Sequence, residues 1–314
     1  MNNISPRDAF WNKVYELAQK DKDIVIVTAD MGAPSLDKFR KNLSTQFVNV
    51  GIAEQNAVTL ASGLTLAGKK VFIYAIAPFI SLRCLEQIRV ENAIIKIPIT
   101  IVGVGVGFGY EDSGPTHHLI EDVAIMRSMP NIRINNVTDN ILAEYFADKC
   151  CQKKTVTDYI RLDRLSHSDI YNSKYDFSSG LAVAKKAKDY YIISSGTMVP
   201  VALKAAENLS KNKIDIGVID IFNLPINERK LISLLKGVKK IITLEEHFLT
   251  GGLGSAIAEV LCDNSLLIPH KRLGIALEKG YCYKYGGREI IRKYYGIDQE
   301  SVVIEINKFI RRKK

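Results

Sequence analysis

The sequence predicts an α/β protein built as two parallel-sheet domains, and three observations predict it. Apolar runs of strand length alternate with segments of helix length along the whole chain. Alternation of that kind argues for parallel sheets with helices on both faces. A polar stretch, Arg164–Ser179, rich in Ser, Asp and Asn and without periodicity, interrupts the pattern before it restarts. A chain of 314 residues, 47% hydrophobic and 25% charged, also has material for two cores. The expected domains are 1–165 and 180–314.

In the first domain, Asp23–Thr28 reads as a buried strand. Gln46–Ile52 reads as a second, followed by a small-residue helix over Glu54–Leu66. Val71–Ala77 is a strand leading into a long helix from Pro78 to about Ile95. Pro98–Val104 is a strand that opens into a Gly-rich loop over 105–118. His118–Met129 reads as a helix, Asn131–Val137 as a strand, Asp139–Cys151 as a helix and Tyr159–Leu162 as the closing strand. In the second domain, Tyr190–Ser194, Ile214–Ile219, Lys240–Leu244 and Ile268–Ala276 read as strands. Val199–Leu209, Glu228–Leu235 and Leu253–Cys262 read as helices, with Arg288–Tyr295 and Gln299–Arg311 closing the chain.

Composition excludes several classes. No apolar run reaches the roughly 18 residues of a membrane span. The start, Met1 to Pro6, lacks a basic region followed by an apolar one, so no secretory signal is expected. The cysteines, Cys84, Cys150, Cys151, Cys262 and Cys282, are odd in number and form no Cys-x-x-Cys pair, which fits reduced thiols in a cytoplasmic protein. The net charge of +9 is spread over scattered lysines, apart from Lys185-Lys186-Ala187-Lys188, Lys239-Lys240 and the terminal run from Arg311 to Lys314. No aromatic-interleaved basic strip appears, so a nucleic-acid partner is not expected.

The stretch Gly51-Ile52-Ala53-Glu54-Gln55-Asn56 places a carboxylate where a strand hands over to a helix. One reading is a helix-start carboxylate facing the dipole, an interaction of about 0.3–1 kcal/mol. The other is a ligand site, because ligands of open parallel sheets sit at the carboxyl ends of strands. Glu54, the 105–118 loop and the start of the Pro78 helix all lie at such ends.

Three stretches together resemble the transketolase family of thiamine diphosphate enzymes. Gly51–Asn56 is similar to the acidic motif of the family's pyrimidine-binding domain. Arg83-Cys84-Leu85-Glu86-Gln87-Ile88-Arg89 resembles the helix after its aromatic clamp. Asp112-Ser113-Gly114-Pro115-Thr116-His117-His118 resembles its Gly-Pro-Thr-His loop. Glu245-Glu246-His247 with Gly251-Gly252-Leu253-Gly254 resembles the C-terminal domain of the family; the glycines lack dinucleotide spacing and read as a tight turn. No Gly-Asp-Gly motif is present. The resemblance therefore implies the C-terminal subunit of a split transketolase. An N-terminal partner would hold the diphosphate and a Mg²⁺ or Ca²⁺ ion, in an α2β2 heterotetramer.

The resemblance also implies roles. Catalysis through this cofactor needs its aminopyrimidine to remove the C2 proton, which requires an acid at N1′. A buried carboxyl group suits this, since burial favours its proton-bearing form. The resemblance assigns this to Glu54, with Ile52 and Phe79 as cofactor neighbours; Phe79 also reads as a core residue. His117 would touch the donor sugar and move protons, with His118 and Asp112 beside the sugar. A metal reading of the histidine pair lacks a third ligand. Arg164 and Ser35 would grip a phosphate, for which a guanidinium fork is suited. The family's histidine on the strand before the loop is absent from Gly103–Gly107, which leaves a sugar phosphate and a modified or nucleotide-linked sugar both open. The implied reaction is transfer of a two-carbon ketol unit from a ketose to an aldehyde. A decarboxylating subunit and a non-catalytic regulatory subunit are the alternatives.

Overall fold

The structure, a computed structural model, describes residues 4–166 and 168–312. The beginning of the amino-terminal segment and the last two lysines of the terminal basic run lie outside the described residues. The chain divides into two compact units. One comprises 1–109 and 116–175, and the other 110–115 and 176–314.

The first unit opens with helix α1 (Pro6–Ala18), started by Ser5, whose hydroxyl accepts the Asp8 N–H at 3.2 Å, and by Pro6 in its first turn. There follow β1 (Ile24–Thr28), α2 (Asp37–Asn42), β2 (Phe47–Asn49), α3 (Glu54–Leu66) and β3 (Lys70–Ile76). Next come α4 (Ala77–Ser81), α5 (Leu85–Gln87), β4 (Thr100–Val104), α6 (Asp122–Met126), β5 (Ile132–Asn136), α7 (Asn140–Cys150) and β6 (Thr157–Leu162). Its strands pair in the order β5-β6-β4-β3-β1-β2, every pair parallel. Central strands β1 and β4 are buried at every position, as expected when helices cover both faces. Phe10 and Trp11 of α1 meet Phe72 and Tyr74 of β3 edge to face and anchor one side of the core.

Parallel pairing sends the segments after β2, β3, β4 and β6 out at one edge of the sheet. Those segments begin with Val50, Ala77, Gly105 and Asp163.

The second unit contains β7 (Leu181–Lys185), β8 (Tyr190–Ser194), α8 (Val199–Lys211), β9 (Gly217–Ile221), the two-residue β10 (Asn223–Leu224) and α9 (Glu228–Leu235). It closes with β11 (Lys240–Phe248), α10 (Leu253–Asp263), β12 (His270–Ile275), α11 (Arg288–Tyr295) and α12 (Gln299–Arg311). Its sheet runs β12-β11-β8-β9-β7. All pairs are parallel except β7 with β9, which is antiparallel. This edge strand, which alternation alone does not reveal, enters directly from the polar stretch and makes the second sheet mixed.

Three elements differ from the sequence expectation. The strand over Gln46–Ile52 is limited to β2, because Asn49 turns the chain by accepting the N–H groups of Asp30 and Gly51 at 2.9 and 3.0 Å. The long helix from Pro78 breaks into α4, α5 and π-helical turns over Ile88–Ile94. There the Arg83 N–H reaches back to the Pro78 carbonyl and the Ile95 N–H to that of Val90, each five residues away. The helix over His118–Met129 shrinks to α6 because Leu119 forms an isolated antiparallel bridge with Gly107. That bridge ties the two ends of the histidine loop together.

Candidate active site

At the carboxyl edge of the first sheet, Gly51 takes φ 74°, a left-handed turn that glycine adopts without steric cost. This turn presents Ile52, 79% exposed, and then starts α3 with Glu54 as its first residue. No capping side chain from Ala53 serves the helix start. Glu54 is only 4% exposed, and its Oε2 accepts from the Arg83 guanidinium at 2.7 Å. A buried carboxylate needs such a partner. Arg83 is placed by the break between α4 and α5, and its backbone carbonyl accepts from the Gln55 amide at 3.2 Å.

The Arg83 guanidinium also lies over the Phe79 ring, 4.2 Å from the centroid. Phe79 meets His117 edge to face, with centroids 5.1 Å apart and planes at 71°. The His117 Nδ1 pairs with the Thr116 hydroxyl at 3.1 Å. Four groups thus converge in a continuous chain: carboxylate, guanidinium, phenyl and imidazole. Ala77, Val106 and Leu119, with Leu82 packed against them, form a small buried apolar cluster drawn from the same segments. The Cys84 thiol donates to the Phe79 carbonyl at 3.3 Å. Burial, and then the negative charge of Glu54, push that thiol up to about 12, so it stays neutral at physiological pH.

The remaining sequence-predicted residues fall elsewhere. His118 turns away from His117 into the core, 2% exposed, edge to face with Phe108 at 5.1 Å. Among the described residues no group of three His, Cys, Asp or Glu could hold a metal. Asp112 is exposed and belongs to the segment 110–115 that groups with the second unit. Arg164 follows β6 and donates from Nε to the Gly109 carbonyl at 2.5 Å, at the base of the loop. Ser35 is buried, its hydroxyl 3.4 Å from Asp8 Oδ1. Arg161 is held by a bidentate pair with buried Asp122, at 2.7 and 2.9 Å, and by Asn136 at 2.7 Å. The Tyr159 hydroxyl completes that network on Asp122.

Sequence reading gave Arg83 no individual role. Its only signal was a cation following the residue pair Phe79-Ile80, because its carboxylate partner lies 29 positions away.

Comparison with known proteins fixes the lineage. Residues 2–156 match the model of the transketolase pyrimidine binding domain, and residues 180–302 that of the transketolase C-terminal domain. The chain belongs to the transketolase family. It is 34% identical to an apulose-4-phosphate transketolase subunit of Phocaeicola vulgatus, over 99% of both chains. It is 30% identical to the 6-deoxy-6-sulfo-D-fructose transketolase subunit SqwH of Clostridium sp. (strain MSTE9), over 98% of this chain and 95% of that one. A solved split-gene transketolase, described as an inactive beta4 tetramer, superposes with a TM-score of 0.86 at 30% identity, covering both chains completely. This chain is therefore a transferase subunit of a family that works with thiamine diphosphate. No described helix is long and apolar enough to cross a membrane.

Proposed function

We propose that this chain is the C-terminal subunit of a two-component transketolase in the cytoplasm, with 1–165 as its pyrimidine-binding part and 180–314 as its C-terminal part. It moves a two-carbon ketol unit from a ketose, free or phosphorylated, to an aldehyde. Its partner is an N-terminal subunit that carries the diphosphate and a Mg²⁺ or Ca²⁺ ion, and two copies of each chain make an α2β2 assembly. The observation that carries this reading is the buried Glu54 aligned with Arg83, Phe79 and His117 at the carboxyl edge of the sheet. Full-length correspondence to subunits of split transketolases supports it.

The residues present fit the pyrimidine end of thiamine diphosphate. Glu54 is buried yet keeps its charged partner on the half-exposed side, and Phe79 is only partly buried. When bound, thiamine diphosphate would supply the nucleophilic carbon that ketol transfer needs, and the residues of this corner would hold its pyrimidine end. Glu54 holds a proton at the ring nitrogen of the aminopyrimidine. Phe79 offers it a flat apolar face, and Ile52 closes the edge of the corner. Arg83, 43% exposed, neutralises Glu54 and lies over Phe79. His117 moves a proton at the hydroxyl of the donor sugar, with Asp112 and His118 shaping the same loop. Arg164 and Ser35 bind the phosphate of a phosphorylated substrate.

Calorimetry with thiamine diphosphate and magnesium tests the division of labour. The isolated chain is expected to bind weakly and to be inactive, with tight binding and ketol transfer appearing on addition of the N-terminal subunit. Tight, magnesium-dependent binding by this chain alone would refute the two-component reading. Turnover of pyruvate in place of a ketose would assign it to decarboxylating chemistry.

A further inference from the structure

The opposite, amino edge of the first sheet carries a cavity of about 610 Å³. It is lined where β3 and β4 begin and just before β6, by Lys69 and Lys70, by Ile97 and Pro98, and by Lys153 and Lys154. Strand β3 alone, at roughly 3.3 Å per residue, separates this edge from the Glu54 cluster by about 20 Å. The cavity is therefore distinct from the site described above.

Its chemistry is two-sided. Leu66, at the end of α3, and Ile95, after the π-helical turns, also line it, and they are 74% and 60% exposed. Two large aliphatic side chains this exposed in the lining of one cavity give it an apolar wall open to solvent. Around them stand Lys96 and the four lysines already named. Lys69 pairs with Asp23 at 2.7 Å, Lys70 with Asp21 at 2.8 Å and Lys154 with Asp158 at 3.4 Å. Lys96 and Lys153 are exposed and have no ion-pair partner among the described residues. The rim thus holds two positive charges in excess.

Lys96 also sits at φ 66°, a left-handed conformation that a long side chain adopts only at a cost. The fold enforces it. The Asn92 amide holds the Ile97 carbonyl at 2.9 Å, and the Ile97 N–H bonds to Glu91, so the chain must reverse at Lys96. A glycine or asparagine would relieve that cost; a lysine there puts an ammonium group at the mouth of the cavity.

We propose that this cavity binds a small phosphomonoester with an apolar or aromatic body, its dianion held by Lys96 and Lys153 and its body on Leu66 and Ile95. Lysine ammonium groups bind phosphate as point charges without demanding a fixed geometry, which suits two flexible rim residues. A cleft with one sign of charge over apolar walls also concentrates the field on an anion.

Phenyl phosphate is the test ligand, titrated into the full chain by calorimetry. One saturable site is expected, weakened about tenfold in a Lys96→Gln/Lys153→Gln double variant and bound about tenfold more weakly as inorganic phosphate. Pyridoxal 5′-phosphate followed by borohydride, which reduces the imine formed with a lysine to a stable amine, should mark Lys96 or Lys153 before other lysines. Phenyl phosphate should protect them. Labelling spread evenly over surface lysines, or binding unchanged in the double variant, would overturn the proposal. So would equal affinity for inorganic phosphate, since the apolar wall would then contribute nothing. The labelling is repeated with the N-terminal subunit present. Loss of reaction at these lysines in the complex would assign them to a subunit interface and overturn it as well.

Discussion

Two corners of this chain are built alike and work differently. In each, a strand passes through a left-handed glycine into a helix, Gly51 at φ 74° before α3 and Gly251 at φ 72° before α10. At the second corner, Glu245 reaches from β11 into the start of α10 and accepts the N–H groups of Leu253 and Gly254 at 2.7 and 2.9 Å. The approach is so close that a Cβ on Gly252 would lie 2.0 Å from a Glu245 oxygen. The helix dipole and two backbone donors consume that carboxylate. Its neighbour Glu246 is likewise consumed, by Arg288 at 2.6 Å and Arg292 at 2.7 Å. At the first corner the carboxylate belongs to the helix itself and turns outward, to a half-exposed arginine lying on an aromatic ring. Glu54 and Glu245 are equally buried, at 4% and 5%. Burial therefore does not separate the carboxylate proposed to react from the structural one. What separates them is the partner: the arginine on Glu54 is half-exposed, whereas Glu245 is held by buried backbone donors and Glu246 by buried arginines.

Substituting each carboxylate in the reconstituted complex tests that contrast most strongly. Glu54→Gln is expected to lower turnover about 10²–10⁴-fold, roughly 3–5 kcal/mol of barrier, because the amide cannot share a proton with the ring nitrogen. Its folding should persist, since the amide keeps the shape of the side chain. Glu245→Gln should do the reverse. It loses a charge-assisted bond at a helix start, so denaturant unfolding should show a loss of about 1.5–3 kcal/mol. Turnover of the folded protein should stay within a few-fold of wild type. Equal losses of turnover in the two variants would break the comparison.

Much of this contrast is legible in the sequence, and the exceptions have physical causes. Alternating apolar segments fix α3, α9, α11 and α12 to the residue, because each carries its own periodicity between clear ends. The run from Pro78 to Ile95 looks like one helix because its composition is helical throughout. Its breaks depend on five-residue hydrogen bonds and on Arg83 being drawn to Glu54, neither of which leaves a local pattern. The glycine–carboxylate corner and the histidine loop are visible as motifs, and the fold brings Phe79 and His117 together with them. The divergence of His118 from His117 is not visible, because adjacent loop residues have no fixed relation until the Leu119–Gly107 bridge orients them.

Arg164 sharpens the comparison at the level of binding. If it grips a substrate phosphate, Arg164→Ala should raise KM for a ketose phosphate more than it lowers kcat, with a total loss of about 1.5–3 kcal/mol. The dephosphorylated ketose should be turned over nearly as well by the variant as by wild type. The structure also gives this residue a second duty, since its Nε holds the Gly109 carbonyl at the base of the loop. A loss that is equal on both substrates would make Arg164 a positioning residue for the histidine loop rather than a phosphate ligand.

The smallest expected effect concerns acid, and it separates scaffold from site within the second unit. His270 begins β12, and its Nε2 pairs with the Thr243 hydroxyl at 3.0 Å. Burial, and then the nearby charge of Arg272, lower its pKa from 6.5 to about 4. A histidine depressed in this way is neutral in the folded chain while the unfolded chain takes up a proton. Its effect is absent above the unfolded value and grows as pH falls from 6.5 towards 4. Stability should therefore decline over that window, by about 1 kcal/mol at about pH 5.5. His270→Gln should flatten the decline when denaturant unfolding of the full chain is compared at neutral and mildly acidic pH. Turnover at saturating substrate should keep the same pH profile in the variant, because His270 belongs to the second unit and the Glu54 corner to the first. A shifted turnover profile with unchanged stability would mean that this histidine communicates with the chemistry, and the division between a consumed scaffold and a reacting corner would have to be redrawn.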